Sequence, residues 1–154
     1  MNNQADEFHV YIIRHAEKAK SDGENRDPQL SYCGQQRARA LVHLLKDRNI
    51  DAVYATGYQR TQRTARPLAQ DRGLVVQEYN ARDSQALVDS VLSKKEDALI
   101  VGHSNTAPVI ANLMAGTELE LLDESEFDKL YSIEVHTDRV LLHELNQGFV
   151  CDES

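Results

Sequence analysis

Apolar residues along the chain alternate between short strand-like runs and segments with helical periodicity. Residues 8–13 form a β-branched and aromatic run that ends abruptly at Arg14, and residues 50–55 form a second such run. Short runs of this composition predict strands. The wholly apolar run at residues 98–101 is typical of a strand that is buried on both faces of a parallel sheet. Further strands are predicted at residues 74–76, 132–135 and 140–145.

The first two helix-like segments carry clear start and stop signals. Ser31 is the predicted N-cap of a helix that has apolar residues at helical spacing and ends before Asn49. Residues 58–71 predict a second helix, which Gly73 closes. Because proline lacks an amide hydrogen, Pro67 is expected to kink or delimit this second helix.

Two further helices follow in the second half of the chain. The third begins at a cap formed by Asp83 or Ser84, and the fourth covers residues 105–115. The fourth has Pro108 in its first turn and Gly116 just past its end, which is the usual asymmetry of helix termini. Strands and helices therefore alternate, with strands at the end of the chain. This order predicts a three-layer α/β/α sandwich with a mostly parallel central sheet.

Length and composition fit one ordinary globular domain over residues 1–154. The apolar fraction of 41% and the charged fraction of 27% exclude a wholly disordered chain. No apolar run is long enough to cross a membrane, and no apolar stretch follows Met1. We therefore expect a cytoplasmic protein, unless an export signal is missing from this sequence. The only cysteines, Cys33 and Cys151, lie far apart in sequence, and we expect reduced thiols.

Charge narrows the range of partners. The formal net charge is -8, which argues against a general nucleic-acid or anionic-membrane surface. The charge is unevenly distributed, because 15 of the 17 basic residues lie in residues 1–100. Residues 118–128 hold six acids in eleven positions and predict a solvated loop with a short helix, or else a docking surface for a basic partner. The sequence does not determine the oligomeric state and is compatible with a monomer.

Candidate chemistry follows three of the predicted strands. Arg14 and His15 come directly after the first strand, and His103 follows the buried strand at residues 98–101. The loop and helix start after the second strand carry Thr56, Arg60 and Arg63, of which Arg60 is nearest the helix start. Parallel strands bring their carboxyl ends to one edge of the sheet, where ligands bind. We expect these side chains to converge on one crevice.

Two imidazoles among guanidinium groups suit phosphoryl transfer. Arginine matches tetrahedral oxyanions, and helix N-termini add amide donors. A neutral imidazole is a competent nucleophile, and fixed cations can neutralise the transferred group without a metal or another cofactor. The remaining histidines are interpreted as packed or surface residues; they are His9, His43, His136 and His143.

Several segments resemble motifs of the histidine phosphatase superfamily, which has the phosphoglycerate mutase-like fold. Residues 14–17, Arg-His-Ala-Glu, resemble the first histidine motif, residues 60–65 the second arginine motif, and residues 101–106 the second histidine motif. Residues 27–34 are similar to the link into the first helix of the family. The compact length is more similar to small phosphohistidine phosphatases of the SixA type than to the longer mutases.

The resemblance implies a role for each matching residue. His15 would be the nucleophile that accepts the phosphoryl group, and Arg14, Arg60 and His103 would complete the phosphate pocket, with Ser104 beside it. The proton donor of the family, a glutamate between the second arginine and second histidine motifs, has no clear counterpart. Two tentative candidates are Asp83, which is also a helix cap, and Glu17, which is also an ordinary loop carboxylate.

Three functions follow from these observations. The first is a metal-independent phosphatase, a phosphoric monoester hydrolase acting on a phosphorylated small molecule or on a phosphohistidine protein. The second is a non-catalytic phosphate-binding or scaffold module that retains the pocket. The third is a zinc hydrolase using His15, His103 and Glu17, although their spacing matches no zinc helix motif.

Overall fold

A computed structural model describes residues 7–20 and 26–151, which form six strands and four helices. The strands are β1 (Phe8–Arg14), β2 (Ala52–Ala55), β3 (Val76–Glu78), β4 (Ala98–Gly102), β5 (Lys129–Val135) and β6 (Val140–Asn146). The helices are α1 (Tyr32–Leu44), α2 (Gln59–Asp71), α3 (Ser84–Lys94) and α4 (Ala107–Ala115). None of the described helices is long and apolar enough to cross a bilayer.

The six strands form one sheet in the order β3-β2-β4-β1-β5-β6. The first four of these are mutually parallel, whereas β5 runs antiparallel to β1 and β6 antiparallel to β5. The predicted three-layer α/β/α sandwich with a mostly parallel sheet is confirmed. The parallel register brings the carboxyl ends of β1, β2 and β4 to one edge, since Arg14 pairs with Gly102 and Ala55 with Val101.

Each face of the sheet has its own apolar core. One face packs against α1 and α2 through Leu41, Leu68 and neighbouring residues. The other packs against α3 and α4 through Val88, Ile110 and their neighbours. Strand β4 is buried along its whole length, as its uniformly apolar sequence predicted. These two cores fix the strand ends that carry the candidate chemistry.

The helix caps agree with the sequence at Ser31 and Asp83, whereas several element boundaries differ from the predicted ones by one to three residues. Ser31 caps α1 by accepting a hydrogen bond from the Gly34 amide, and Asp83 caps α3. Pro67 lies inside α2 without ending it, because the last turn remains bonded through the Arg72 amide. The third strand begins two residues later than predicted, since the Leu74 amide still bonds to the end of α2.

The expectation of reduced thiols is wrong, because Cys33 and Cys151 form a disulfide. Their Cα atoms are 5.5 Å apart, although 118 positions separate them in sequence. The chain after β6 turns back toward α1, where the amides of Gly148 and Phe149 donate to the Asp128 carboxylate. Arg37 of α1 donates to the same carboxylate over 2.6 Å. This local network brings Cys151 to the start of α1.

Candidate active site

The segments that follow β1, β2 and β4 meet at one edge of the sheet around a cavity of about 470 Å³. The cavity is lined by Arg14, His15, Lys18, Tyr58, Arg60, Ala81, Arg82, His103, Ser104, Asn105, Thr106 and Glu124. The four residues expected to carry the chemistry, together with Ser104, therefore share one concave site. Its lining is mainly polar and holds four Lys and Arg side chains against one carboxylate.

The His15 imidazole is held in a defined tautomer. Its backbone amide donates to the Gly102 carbonyl over 2.8 Å, which joins the loop after β1 to the end of β4. Its Nδ1 lies 2.7 Å from the Ala16 carbonyl oxygen. Because a carbonyl oxygen only accepts, Nδ1 carries the hydrogen in this contact. The second nitrogen, Nε2, is then unprotonated and retains its lone pair.

Burial keeps His15 neutral. The side chain is 4% exposed, and burial lowers the pKa of His15 from 6.5 to about 3. The hydrogen bond to Ala16 acts in the opposite direction, and the nearby positive charge of Arg14 lowers the pKa further. An imidazole in this environment is a free base at neutral pH, which is the form a nucleophile requires.

His103 faces His15 across the cavity, with 5.6 Å between the ring centroids. Its Nε2 lies 2.9 Å from the Thr56 hydroxyl, and its backbone amide donates to Thr106 Oγ1. Burial, and then the charges of Arg60 and Arg14, lower the pKa of His103 to about 4. The lowered pKa favours a hydrogen-bonding role for His103 in the free protein over a cationic one.

Arg14 is buried beneath the segment of residues 118–128. Its Nη1 donates to three backbone carbonyls, those of Asp123, Glu124 and Glu126, at 2.9 to 3.2 Å. The guanidinium carbon lies 3.9 Å from the centroid of the Phe127 ring. In contrast, Arg14 Nε is buried and has no hydrogen-bond partner among the described residues. A buried guanidinium hydrogen without an acceptor is a donor available to an oxyanion.

The acidic segment at residues 118–128 is irregular, so the short helix expected there is not formed. The Leu122 amide donates to the Ser104 carbonyl, and Asn112 of α4 bonds the backbone of Leu119. Phe127 lies edge-on to His15, with 6.1 Å between the ring centroids. The segment therefore forms one wall of the site, and its backbone carbonyls, rather than its carboxylates alone, hold Arg14.

Arg60 and Arg63 lie in different environments. Arg60 lines the cavity and packs over the Tyr58 ring at 4.5 Å. Arg63 is exposed, donates to the Gln59 side chain, and lines a separate cleft of about 300 Å³ between α1 and α2. Arg63 therefore faces solvent and not the cavity that holds His15.

Neither tentative proton donor lines the cavity. The Asp83 carboxylate is committed to its helix, where it accepts from the Ala86 amide. Both Glu17 oxygens accept from Arg37, at 2.9 and 3.0 Å. This pairing also removes Glu17 from the zinc set that would combine it with the two imidazoles. The carboxylate that does line the cavity is Glu124, with Oε2 at 3.6 Å from Arg14 Nη2 and a side chain that is 85% exposed.

Sequence reasoning did not single out several lining residues. Lys18 and Arg82 add two exposed cations to the rim, and Tyr58 packs against His103 with 5.3 Å between ring centroids. Lys18 and Tyr58 each lie within three residues of a predicted site residue, so proximity in sequence was an available signal. Glu124 and Phe127 had no such signal in the sequence, because a coil segment carries no periodicity that fixes its position.

Comparison with known proteins finds similarity to one family and to several solved structures. The sequence model of the histidine phosphatase superfamily (branch 1) matches residues 10–82. The "Uncharacterized protein Rv0525" of Mycobacterium tuberculosis is 38% identical over 76 residues, which are 47% of this chain and 38% of that protein. The match thus spans about two fifths of the length of this relative.

Solved structures share the fold at low sequence identity. The protein histidine phosphatase SixA, in complex with tungstate, has a TM-score of 0.72 at 14% identity and covers 91% of this chain and 97% of its own. Mycobacterial glucosyl-3-phosphoglycerate phosphatase Rv2419c has a TM-score of 0.70 at 16% identity, and the match covers 91% of this chain and 99% of that protein. The alpha-ribazole phosphatase from Shigella flexneri has a TM-score of 0.68 at 19% identity, and the match covers 95% of this chain and 100% of that protein.

The family match covers the strand that leads to His15 and the helix that carries Arg60. The likeness in fold to SixA extends over 91% of this chain. The chain is therefore similar to the histidine phosphatase superfamily over residues 10–82, and its compact fold resembles that of SixA.

Proposed function

We propose that the protein is a phosphatase, a phosphoric monoester or phosphohistidine hydrolase, that works through a covalent phosphohistidine on His15. The observation that carries this proposal is the bond from His15 Nδ1 to the Ala16 carbonyl, which leaves Nε2 as a free base in a cavity lined by Arg14, Arg60 and His103. A neutral nucleophile fixed among cations is the arrangement that phosphoryl transfer requires.

The reaction proceeds in two steps that share these groups. His15 Nε2 attacks phosphorus, so that a P–N bond forms while the bond from phosphorus to the leaving group breaks, and the leaving group takes a proton. Water then attacks phosphorus from the same cavity, the P–N bond breaks, and inorganic phosphate leaves as its new hydroxyl loses a proton. The imidazole returns to its neutral form.

Charge neutralisation comes from the chain itself. The unpaired Nε of Arg14 and the guanidinium of Arg60 supply fixed donors to the equatorial oxygens. His103, whose Nε2 is held at Thr56, supplies a further hydrogen bond from the opposite side. No step of this proposal depends on a metal or another cofactor.

The environment of the carboxylates favours substrates with a good leaving group. Asp83 and Glu17 are engaged elsewhere, and the Glu124 side chain is 85% exposed, whereas a carboxyl that acts as general acid is usually kept protonated by dry surroundings. A phosphohistidine or an acyl phosphate departs without strong acid assistance. The exposed rim, which includes Lys18, Arg82 and Asn105, suits a protein side chain better than an enclosed small molecule. We therefore favour a phosphohistidine protein as substrate.

The relatives in fold support phosphatase chemistry but differ in substrate. SixA is a protein histidine phosphatase. The mycobacterial neighbour is a glucosyl-3-phosphoglycerate phosphatase, and the Shigella flexneri neighbour is an alpha-ribazole phosphatase. Assay of one panel containing a phosphohistidine protein, an acyl phosphate and alkyl phosphates would separate these classes. We expect the phosphohistidine protein to have the highest kcat/KM, and a preference for an alkyl phosphate would overturn this assignment.

The His15→Ala variant tests the proposed nucleophile. We expect it to lose at least a thousandfold in hydrolysis of an aryl phosphate, while its circular dichroism and melting temperature stay close to those of the parent. The matched control is His43→Ala, which removes an exposed imidazole from α1 and leaves turnover unchanged. Denatured His15→Ala protein should also fail to retain radiolabel from a phosphorylated substrate.

Two outcomes would contradict the proposal. Undiminished turnover by His15→Ala would remove His15 from the role of nucleophile. A parent protein that is stabilised by vanadate but turns over none of the panel would instead be the non-catalytic phosphate-binding module.

The disulfide between Cys33 and Cys151 is relevant to the cellular compartment in which the protein acts. The cytoplasm predicted from the sequence is a reducing compartment, and disulfides persist mainly in oxidising ones. We propose that the Cys33–Cys151 pair forms in an oxidising compartment, and that the protein acts there on soluble phosphorylated partners. Alkylation of intact cells should leave both cysteines unmodified, and complete labelling would show that the cytoplasmic prediction holds.

A further inference from the structure

Three histidines and two glutamates cluster at the end of β1 that is remote from the cavity. His9 lies near the start of β1, Glu134 in β5, His143 in β6, His136 in the turn between those strands, and Glu7 directly before β1. Since six residues of extended strand separate His9 from His15, the two ends are about 20 Å apart. The cluster is therefore distinct from the proposed catalytic site.

Sheet register brings these side chains to one face. His9 pairs directly with Glu134 across β1 and β5, and His143 pairs with Ser132, two residues from Glu134. Alternate residues of a strand point to the same side, so His9, Glu134 and His143 share a face. The His9 ring also stacks on Tyr11 of the same strand, with 6.4 Å between centroids. The backbone thus fixes the positions of the central groups.

The distances suit coordination of one cation. One ligand atom each from Glu7, His9 and Glu134 lies within 4.8 Å of the others. His9 Nε2 is 4.0 Å from Glu134 Oε1, and His136 Nε2 is 3.4 Å from the same oxygen. Two ligands on a tetrahedral Zn²⁺ ion are separated by about 3.3 Å, from metal–ligand bonds of about 2.0–2.1 Å. A contraction of up to about 1.5 Å by partly exposed side chains would complete such a site.

His136 provides an independent indication of a ligand. Its Nε2 is buried and makes no hydrogen bond with the described residues, although two carboxylates flank the ring. Its Nδ1 lies 3.4 Å from Glu7 Oε1, and its Nε2 lies 3.4 Å from Glu134 Oε1. A buried imidazole nitrogen without a hydrogen-bond partner requires an explanation, and a metal ion bound between Glu134 and His9 would supply one.

Surrounding groups orient the central ligands. His143 Nε2 lies 2.7 Å from Glu134 Oε2, which leaves Oε1 directed toward His9 and His136. On the far side of His9, Asp97 Oδ1 accepts a hydrogen bond from the His9 backbone amide at 2.7 Å and lies 3.9 Å from the ring Nδ1. A carboxylate behind a coordinating imidazole is a usual feature of metal sites.

We propose that Glu7, His9, Glu134 and His136 form a binding site for a transition-metal cation such as Zn²⁺. Mixed imidazole and carboxylate ligands favour Zn²⁺ and its neighbours over Mg²⁺, which prefers oxygen and water. The cation would join the segment before β1, β1 itself and the β5–β6 turn. It binds at the opposite end of the sheet from His15, so it is a structural site with no part in phosphoryl transfer.

Calorimetric titration of the full chain with ZnCl₂, after removal of metals with a chelator, tests the site. We expect one Zn²⁺ bound per chain, and no heat from MgCl₂ at the same concentration. His9→Asn and Glu134→Gln should each weaken Zn²⁺ binding at least tenfold. The control His43→Asn should stay within twofold of the parent, and His15→Ala should retain the same stoichiometry, which excludes the catalytic imidazoles as the site.

A second measurement keeps the test decisive if one variant folds poorly. On addition of Zn²⁺ to the parent, the imidazole resonances of His9 and His136 should shift in nuclear magnetic resonance spectra, and that of His43 should not. Unchanged Zn²⁺ affinity in both His9→Asn and Glu134→Gln would overturn the proposal. Equal binding of Mg²⁺ and Zn²⁺ would do so as well, because it would show attraction to carboxylates alone.

Discussion

The two ends of β1 hold histidines in opposite surroundings. At the carboxyl end, His15 and His103 are buried beside guanidinium groups, and burial lowers the pKa of His15 to about 3 and that of His103 to about 4. At the amino end, His9 and two further imidazoles are partly exposed and surround Glu134. One strand thus presents imidazoles to an anion site at one end and, by our proposal, to a cation site at the other.

This difference shows that the residue type does not determine the chemistry. An imidazole among arginines is forced to stay neutral and is suited to attack an electron-poor phosphorus. An imidazole among carboxylates is suited to share a cation with them. Burial and the sign of neighbouring charge, rather than the histidine itself, separate the two roles.

Among substitutions at the carboxyl end of β1, that of Arg60 should have the largest effect on catalysis. We expect Arg60→Ala to lower kcat/KM for an aryl phosphate by about a hundredfold or more, since loss of one preorganised donor to the transferred group has roughly that size. Arg63→Ala is the matched control on the same helix and should change kcat/KM less than threefold, because Arg63 lines a different cleft. Steady-state kinetics of both variants provides the measurement, and equal losses would contradict the assignment.

An effect of intermediate size should appear in the pH dependence of stability. The pKa of His15 is about 3 in the folded protein against 6.5 in the unfolded chain, so the unfolded chain binds the proton first as the pH falls. The stabilisation is therefore present above pH 6.5 and is lost as the pH falls toward the folded value. One such group contributes a slope of about 1.4 kcal/mol per pH unit.

Urea unfolding between pH 7 and pH 4.5 checks this slope with His15→Phe, which keeps a ring and removes the titrating group. The variant should lose less stability over that range than the parent. The exposed-histidine control His43→Ala should behave as the parent does. Parallel curves for His15→Phe and the parent would mean that His15 is not held neutral by burial.

The smallest effect is expected at Asp83. Asp83→Ala removes the side-chain cap of α3 and should lower the free energy of unfolding by about 1 kcal/mol, as loss of an N-cap typically does. Asp83→Asn should retain the cap and the stability. Both variants should keep kcat/KM within twofold on an alkyl phosphate. A tenfold loss of rate in Asp83→Asn would restore Asp83 as the proton donor.

Local sequence patterns predicted the framework well. The Ser31 and Asp83 caps, the buried strand β4 and the order of elements are properties of short segments, where periodicity and capping chemistry are decisive. The convergence of His15 and His103 also followed, because parallel strands bring their ends together whatever the details of packing.

Contacts made by irregular segments were not predictable in this way. The cover of residues 118–128 over Arg14 depends on backbone carbonyls, which every residue has. The pairing of Glu17 with Arg37 depends on how the loop after β1 meets α1, and the bond between Cys33 and Cys151 depends on how the chain returns to α1 after β6. No local pattern encodes these long-range meetings.

The Cys33–Cys151 bond has a topological consequence. It closes most of the chain into a covalent ring. Strand β1, which leads to the proposed nucleophile His15, lies outside that ring. A single peptide cleavage within residues 34–150 leaves every fragment attached, with Arg60 and His103 still on one molecule. Cleavage between His15 and Cys33 instead leaves β1 held only by sheet hydrogen bonds and packing, so loss of one strand would remove the reactive imidazole while the rest stayed whole.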